Sequence, residues 1–321
     1  MPWATATPVL IWAVIFIPLT ILLLAKNLDN RLGIILILID YLLANYFFIQ
    51  TVNWAVVNYY LRLLPILLCV ILFIRFVRRL RRSPAWPRKT FSSLAITLAG
   101  LLILPVLIFM SIRVFQSTGH QGDRVLLLFP VRNGLYVIAN GGNGLNGIGM
   151  NDDYQDWLGK KQSTEQNLIY AADVLKMSIR GSISQGILPD SHLDYVGFDD
   201  MVYSPCPGTI VYTEDGHPDL NRSSPGGPVS GNYIVLQCMD YYITLGSLRK
   251  GSITVRPGER VGMHVVIANM GSSAAPNIPH LHIHATTGDW KADGKPVPML
   301  FEGSFAVNQF ATRNKIFLPQ D

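Results

Sequence analysis

The chain has 321 residues, of which 50% are hydrophobic and only 15% are charged, and its net charge is +5 at pH 7. A soluble domain usually carries about 25% charged residues, so this composition favours a membrane protein. Residues 1–112 carry a charge of +8 and residues 113–321 carry −3. The basic excess therefore belongs to the apolar half of the chain, and we expect no nucleic-acid partner.

Four apolar stretches precede residue 113, and each is about long enough to cross roughly 30 Å of hydrocarbon as a helix. They are residues 9–25, 32–49, 54–74 and 94–112. The leader before them has no basic residue, so it lacks the positive region of a cleaved signal peptide. The sequence therefore predicts a membrane domain of four spanning helices at residues 1–112, in contact with the lipid bilayer, and a linker at residues 113–122.

The loops between these stretches differ in charge. Lys26 and Arg31 lie between the first two stretches, and residues 75–89 hold seven more basic residues between the last two. The leader and residues 50–53 have no Lys or Arg. The positive-inside rule therefore predicts that both basic loops are cytoplasmic, and that the N-terminus and everything after the fourth helix lie outside.

Two charged residues fall inside the predicted spanning segments. Asp40 lies about midway along the second segment, and Arg62 lies near the middle of the third, which runs in the opposite direction. Charges inside a membrane are costly and are usually paired or functional. We predict an Asp40–Arg62 pair that locks the helices. The alternative, a proton or ion path, needs more polar residues than these segments contain.

From residue 123 the composition changes to short runs rich in Val, Ile and Tyr, separated by turn residues. Predicted strands are residues 125–129, 135–139, 171–176, 201–203, 208–213, 233–237, 241–246, 265–270 and 281–285, with a short helical turn at 155–161. The pattern predicts one all-β domain at residues 123–321, an antiparallel sandwich or barrel-like fold. Cys206 and Cys238 both lie in this external part, where disulfides persist, but the sequence leaves their pairing open.

Three histidines alternate in residues 279–284, which read PHLHIH. In a strand, successive side chains point to opposite faces, so His280, His282 and His284 share one face while Leu281 and Ile283 point into a core. Three imidazoles on one face indicate a metal site or a hydrolytic centre.

An ordered series of motifs in this part resembles the lysostaphin-type zinc metallopeptidases, which cut peptide bonds in the bacterial cell wall. Residues 170–174 (YAADV) resemble the segment that carries the family's metal-binding Asp. Residues 202–211 (VYSPCPGTIV) resemble its V-x-A-P-x-x-G-x-V hairpin. The segments that follow in the family's order are residues 214–219, 231–235, 251–261 and the H-x-H strand at 279–285.

The resemblance implies a multi-pass protein of the bacterial cytoplasmic (inner) membrane, with peptidoglycan or another envelope protein as its partner. It implies zinc held by Asp173, His282 and a further His, with one position left for water. His280 would be the catalytic histidine. His284 lies on the same face, roughly 6–7 Å along the strand, and would support the ligands from outside.

Two histidines of the resembling family are absent. Its first ligand precedes the Asp, but neither residues 141–151 nor those just before Asp173 contain His. Ser247 stands where the family has a second catalytic His. Residues in predicted loops that offer a replacement ligand are Asp152, Asp153, His192 and His217, although each is more typical of a solvated loop.

Three hypotheses follow. In the first, the outer domain keeps the fold but has lost or altered zinc catalysis, and it binds peptidoglycan or regulates a partner. In the second, it is an active zinc-dependent peptidoglycan endopeptidase with a rearranged metal site. In the third, the four-helix part transports or senses and the outer domain is its accessory. The two absent histidines favour the first hypothesis, and the scarcity of polar residues in the spanning segments disfavours the third.

Overall fold

The computed structural model describes residues 30–85, 91–145, 150–154, 166–225, 227–228, 230–275, 277–291, 294–302 and 309–319, together with positions 14 and 20. The chain divides into two compact units. The helical unit contains Pro2–Val52 and Tyr60–Phe115. The β unit contains Asn53–Tyr59 and Gln116–Asp321, so the loop at Asn53–Tyr59 belongs to the β unit although apolar helices flank it in sequence.

The helical unit has three long helices within the residues that the structure describes. They are α1 (Arg31–Thr51), α2 (Leu63–Leu80) and α3 (Phe91–Ser117). Each is long and apolar enough to cross a membrane, α2 when it is counted with the preceding turn from Tyr59. The first predicted span, residues 9–25, lies outside the described residues except for positions 14 and 20.

Polar contacts tie the beginning of α1 to the beginning of α3. The Asn30 side chain accepts a hydrogen bond from the Gly33 N–H at 2.6 Å and so caps α1. Its Nδ2 donates to Ser93 Oγ at 3.0 Å. Farther along, large apolar side chains such as Leu102 and Phe109 are exposed, so the surface of this unit is suited to lipid.

Two predicted boundaries in this part are wrong. The third helix does not begin at Trp54, because Trp54–Val56 form a short 3-10 turn that is buried in the β unit. The linker predicted at residues 113–122 does not begin at residue 113, because α3 continues to Ser117. Val114 is fully buried there, so packing extends the helix beyond the end of its apolar run.

Asp40 lies within α1, whereas Arg62 lies at the end of the short 3-10 helix before α2. Asp40 is fully buried near the middle of α1, about 16 Å from the end of that helix at 1.5 Å per residue. It faces α3, where a Cβ added to Gly100 would lie 3.4 Å from Asp40 Oδ2. Arg62 directly precedes α2. Within the described residues no ion pair joins Asp40 to Arg62, so their pairing stays a prediction.

The β unit contains fourteen strands among its described residues. They are β1 (Val125–Leu127), β2 (Leu135–Asn140), β3 (Ala172–Met177), β4 (Met201–Tyr203), β5 (Gly208–Glu214), β6 (Asn232–Cys238), β7 (Tyr241–Leu248), β8 (Arg260–Val261), β9 (Val266–Asn269), β10 (Leu281–Thr287), β11 (Lys295–Val297), β12 (Met299–Phe301), β13 (Gln309–Phe310) and β14 (Ile316–Phe317). All nine predicted strands are present. The strands that the sequence missed are two or three residues long, too short for a visible alternation. The predicted helical turn at residues 155–161 lies outside the described residues.

The main sheet has the order β14-β2-β3-β10-β7-β6-β5-β8, with β11 paired to β10. A second pair joins β4 to β9, and a small sheet has the order β1-β12-β13. The main sheet is antiparallel throughout, as predicted, but β1 and β12 pair in parallel. The all-antiparallel prediction is therefore wrong at this one place, where β1 at the start of the β unit lies beside β12 from near its end.

Aromatic packing and a disulfide close the core of the β unit. The Phe129 and Phe317 rings stack at 4.3 Å, and Phe301 meets Phe129 edge-on at 5.3 Å. Cys206 and Cys238 form a disulfide across the hairpin of β5 and β6, with their Cα atoms 6.2 Å apart. The structure thus joins the two cysteines whose pairing the sequence leaves open.

Candidate metal centre

Strand β10 lies between β3 and β7 and brings three histidines to one site. Its register places His282 opposite Asp173 on β3 and opposite Gly246 on β7. Leu281 and Ile283, which alternate with the histidines, are fully buried on the other side in the core. The apolar alternation therefore fixes the face on which the imidazoles lie.

The Asp173 carboxylate is the centre of this cluster. His282 Nδ1 lies 2.9 Å from Asp173 Oδ1, and His280 Nε2 lies 3.9 Å from the same atom. Asn140 Nδ2 donates to Asp173 Oδ2 at 3.3 Å, from a position next to the bulge where β2 pairs with β3. The Asp173 oxygens are thus shared between side chains presented by β2 and by the β10 segment.

Asp153 supplies a third donor from the segment between β2 and β3. Its Oδ2 lies 3.6 Å from His282 Nδ1, and one donor atom each from Asp153, Asp173 and His282 all lie within 4.8 Å of one another. Asp153 Oδ2 is buried and has no hydrogen-bond partner among the described residues. Two carboxylates and one imidazole form a donor set for a divalent cation, which would neutralise the paired negative charge and satisfy this oxygen.

The electrostatics of the two carboxylates differ. Burial, and then the charge of the neighbouring Asp173, raise the pKa of Asp153 to about 7. Burial also opposes the ionisation of Asp173, but the electrostatic interaction with His280 and the hydrogen bond with His282 outweigh it, so the pKa of Asp173 is lowered. The cluster therefore holds one firmly ionised carboxylate and one that is costly to ionise without a cation.

His284 contacts His282 rather than the donor cluster. His284 Nδ1 lies 3.1 Å from His282 Nε2, so one of these two nitrogens must carry the proton. Burial, and then the His282 charge, lower the pKa of His284 to about 3, which keeps its imidazole neutral. If His282 Nδ1 binds a cation, His282 Nε2–H donates to His284 Nδ1. A hydrogen bond of this kind orients a ligating histidine.

His280 has a fixed tautomer. Its Nδ1 lies 2.7 Å from the Ile278 carbonyl oxygen, which can only accept, so Nδ1 carries the proton. Burial lowers the pKa of His280, which leaves a lone pair on Nε2. This lone pair and Asp173 Oδ1, 3.9 Å away, are both acceptors. Two acceptors that face each other are suited to a water or a cation between them.

The structure brings together the four residues that the sequence singled out: Asp173, His280, His282 and His284. Of the four replacement ligands considered, only Asp153 joins them within the described residues. The other two histidines contact different residues: His192 Nδ1 lies 2.9 Å from Asn221 Oδ1, and His217 Nε2 lies 3.9 Å from Glu214 Oε1. Asn140 and Arg313, which support the cluster, were missed because no motif marks them.

Several solved structures are similar to this chain. A zinc-containing peptidase from Vibrio cholerae is 17% identical, over 61% of this chain and 41% of that chain, with a TM-score of 0.33. Lysostaphin from Staphylococcus simulans is 20% identical, over 40% and 41%, with a TM-score of 0.26. The catalytic domain of a prophage-encoded M23 protein from Enterococcus faecalis is 13% identical, over 46% and 85%, with a TM-score of 0.29.

The chain thus spans 41% of the length of the first two of these proteins. No protein-family model matches the chain, and no curated protein matches it. Likenesses with TM-scores this low do not establish a shared activity.

Proposed function

We propose that the β unit is a metal-dependent peptide hydrolase of the lysostaphin type, anchored at the outer face of a bacterial cytoplasmic membrane and acting on cell-wall peptides. The observation that carries this proposal is the donor cluster of Asp153, Asp173 and His282, with an unpartnered buried oxygen on Asp153. Asp153 takes the place of the histidine that the sequence lacks. It therefore favours an active, rearranged site over a site without metal.

The chain's own residues have separable roles in this proposal. A bound divalent ion, zinc in the resembling family, would polarise the scissile carbonyl and lower the pKa of a water molecule. His280 accepts a proton at Nε2, because its Nδ1–H is already held by the Ile278 carbonyl. His284 keeps His282 oriented with Nδ1 toward the two carboxylates.

A second candidate function, peptidoglycan binding or regulation without hydrolysis, is favoured by Ser247. The resembling family has a histidine there, which stabilises the developing oxyanion. Ser247 is fully buried, and its Oγ lies 3.4 Å from His280 Nδ1, so it packs against the catalytic candidate. Loss of one oxyanion donor typically costs about 10²–10³ in rate, so we expect slow hydrolysis. Transport by the helices has only Asp40 in its favour.

The location outside the membrane rests on three observations. The loop at Asn53–Tyr59 belongs to the β unit, which supports an arrangement with this loop and the β strands on the same side of the membrane. Five arginines at positions 75–82 lie in the last turns of α2 and just after it, and the positive-inside rule assigns this end to the cytoplasm. The disulfide between Cys206 and Cys238 would persist on the opposite side.

The test uses the full chain purified in detergent, with metal content measured beside peptide release from cell-wall fragments. We expect about one divalent ion per chain, lost in Asp173→Ala, and peptide release lost in His280→Ala while the ion is retained. His192→Ala, at a histidine held by Asn221, is the matched control. Absence of any bound metal would overturn the proposal, and bound metal without peptide release would support the binding or regulatory function instead.

A further inference from the structure

We infer that Arg313 is a positioning residue of the metal centre, and that the loop at Asn53–Tyr59, between α1 and α2, holds it in place. This inference rests on the proposed function, because it takes Asp153, Asp173 and His282 as the metal donors. It adds that the donor cluster is complete only when a loop that joins two membrane helices is docked on the β unit.

Arg313 joins the two segments that present the carboxylates. It is buried, and its Nε donates to the Ala139 carbonyl at 2.8 Å. Its Nη2 lies 2.6 Å from Asp152 Oδ2 and 3.2 Å from Asn140 Oδ1. Asn140 in turn donates to Asp173, and Asp152 directly precedes Asp153. One guanidinium therefore holds Asn140, which donates to Asp173, and Asp152, which directly precedes Asp153.

This support is needed because the two carboxylates are held differently. Asp173 lies on β3 and is positioned by the ladder that pairs it with β10. Asp153 lies outside any strand, so no ladder fixes its side chain. Its segment is held by the Asp152 N–H, which donates to Asn140 Oδ1 at 2.6 Å, and by the Arg313–Asp152 pair. The loop-borne donor thus depends on side-chain contacts for the precision that metal binding requires.

The planar fork of Arg is suited to this task. Its fixed donors reach a backbone carbonyl, an amide oxygen and a carboxylate in one plane, and a lysine offers a single point charge on a flexible stem. The pair with Asp152 is largely shielded, since the Arg313 side chain is 3% exposed. Loss of the Arg313 guanidinium should therefore disturb the segments that carry Asn140 and Asp152 together.

Asn314, which follows Arg313 in sequence, contacts the loop at Asn53–Tyr59. Asn314 has a φ of 65°, and its N–H donates to the Ile138 carbonyl at 2.8 Å. Its carbonyl accepts a hydrogen bond from the Tyr59 hydroxyl at 2.9 Å, and its Oδ1 accepts one from the Trp54 N–H at 3.4 Å. The turn that carries Arg313 is thus clamped between β2 and the loop.

The loop itself is firmly docked. Ala55 is fully buried, and Trp54, Val56 and Tyr59 are each 8% exposed. The Tyr59 N–H donates to the Gly181 carbonyl at 2.8 Å, and Asn58 Nδ2 donates to the Arg180 carbonyl at 2.9 Å. These contacts hold the loop in the position from which it contacts Asn314, the neighbour of Arg313.

The experiment measures metal binding by the full chain in detergent, with Co²⁺ as the probe, from its visible absorption and by competition with Zn²⁺. We expect Arg313→Gln to weaken Co²⁺ binding about 10- to 100-fold and to change the absorption bands, as removal of an orienting group does. Arg313→Lys keeps the charge without the fork and should restore only part of the affinity. Tyr59→Phe, which removes the hydrogen bond to Asn314, should weaken binding less.

Two matched controls accompany these variants. Arg249→Gln removes an arginine that pairs with Asp199 at the surface of the same unit, and Tyr60→Phe removes a hydroxyl from the exposed neighbour of Tyr59. Both should bind Co²⁺ as the wild type does. If Arg313→Gln does not fold, Tyr59→Phe and Asp152→Asn still test the same contacts.

The outcomes separate the inference from the function on which it rests. Wild-type protein that binds Co²⁺, with Arg313→Gln and Tyr59→Phe indistinguishable from it in affinity and spectrum, would overturn the inference and leave the metal centre standing. Wild-type protein that binds no metal would overturn the proposed function, and the inference with it.

Discussion

Replacing Asp153 by Asn should have two effects of opposite sign. It should weaken metal binding, because a donor is lost, and it should stabilise the metal-free protein, because two buried carboxylates no longer repel each other. A structural ion pair or hydrogen bond would behave differently, since its loss destabilises the fold. The sign of the stability change therefore separates a metal ligand from a structural aspartate.

The magnitude follows from the geometry. The donor atoms of Asp153 and Asp173 lie within 4.8 Å of each other. Two unit charges at that separation repel by about 3.5 kcal/mol at an effective dielectric constant of 20. The Asp153 side chain is 20% exposed, and its raised pKa leaves it partly protonated at neutral pH. Solvent screening and protonation together reduce the expected gain in the free energy of unfolding to about 2 kcal/mol.

The pH dependence has a definite sign. The pKa of Asp153 rises from 3.8 to about 7 in the folded, metal-free protein. A raised carboxyl pKa makes its full contribution to stability below pH 3.8, and that contribution is lost as the pH rises toward about 7. The Asp153→Asn variant lacks this group. Its stability advantage should therefore grow between about pH 4 and pH 7 and level off above that range.

Structural zinc sites with four ligands bind with roughly 10–16 kcal/mol, so one ligand contributes about 3 kcal/mol on average. Loss of Asp153 should therefore lower the metal affinity by roughly 100-fold. The assay is thermal unfolding of the full chain in detergent, with chelator and with added Zn²⁺. Asp123→Asn removes the same charge at an exposed position and serves as the control. A metal-free Asp153→Asn protein less stable than the wild type, with unchanged zinc affinity, would refute the reasoning.

Three further predictions use the same protein. His284→Ala should lower zinc affinity about 10- to 100-fold, measured by chelator competition, while Thr286→Val on the same face of β10 should not. The Cys206–Cys238 disulfide links residues 32 positions apart, so its reduction should lower the free energy of unfolding by about 3–4 kcal/mol. Denaturant titration measures this change, and an unchanged free energy would mean that the bond does not form. The topology can be tested with single cysteines in a Cys69→Ser background. Val57→Cys should react with an impermeant thiol reagent added to intact cells, and Ser83→Cys should react only after permeabilisation. The reverse pattern would overturn the topology.

Much of the site's framework follows from local sequence. The alternation of His280, Leu281, His282, Ile283 and His284 predicts which side chains face the site, because the period of two is fixed by strand geometry. The longer strands of the main sheet follow from short runs rich in Val, Ile and Tyr between turn residues. The helices of the first half follow from their length and apolarity alone.

The parts that sequence could not supply depend on contacts between distant segments. Asp153 was one of four loop residues considered as a replacement ligand, and its sequence neighbourhood does not distinguish it from Asp152. Arg313 is far from both in sequence, and the pairing of β14 with β2 brings its segment next to Asn140 and Asp152. The loop after α1 was included in a spanning segment because Trp54 and its neighbours are apolar, although that apolarity serves burial in the β unit.

The two departures from the resembling family are compensated unequally. On the ligand side, the proposed site has Asp153 in place of the absent donor, with Arg313 paired to the neighbouring Asp152. On the side of the absent catalytic histidine, Ser247 is fully buried at a φ of 59°, and a larger side chain there would overpack the core. Metal binding and catalytic rate should therefore separate, with near-normal affinity for a divalent ion and slow hydrolysis in the same protein.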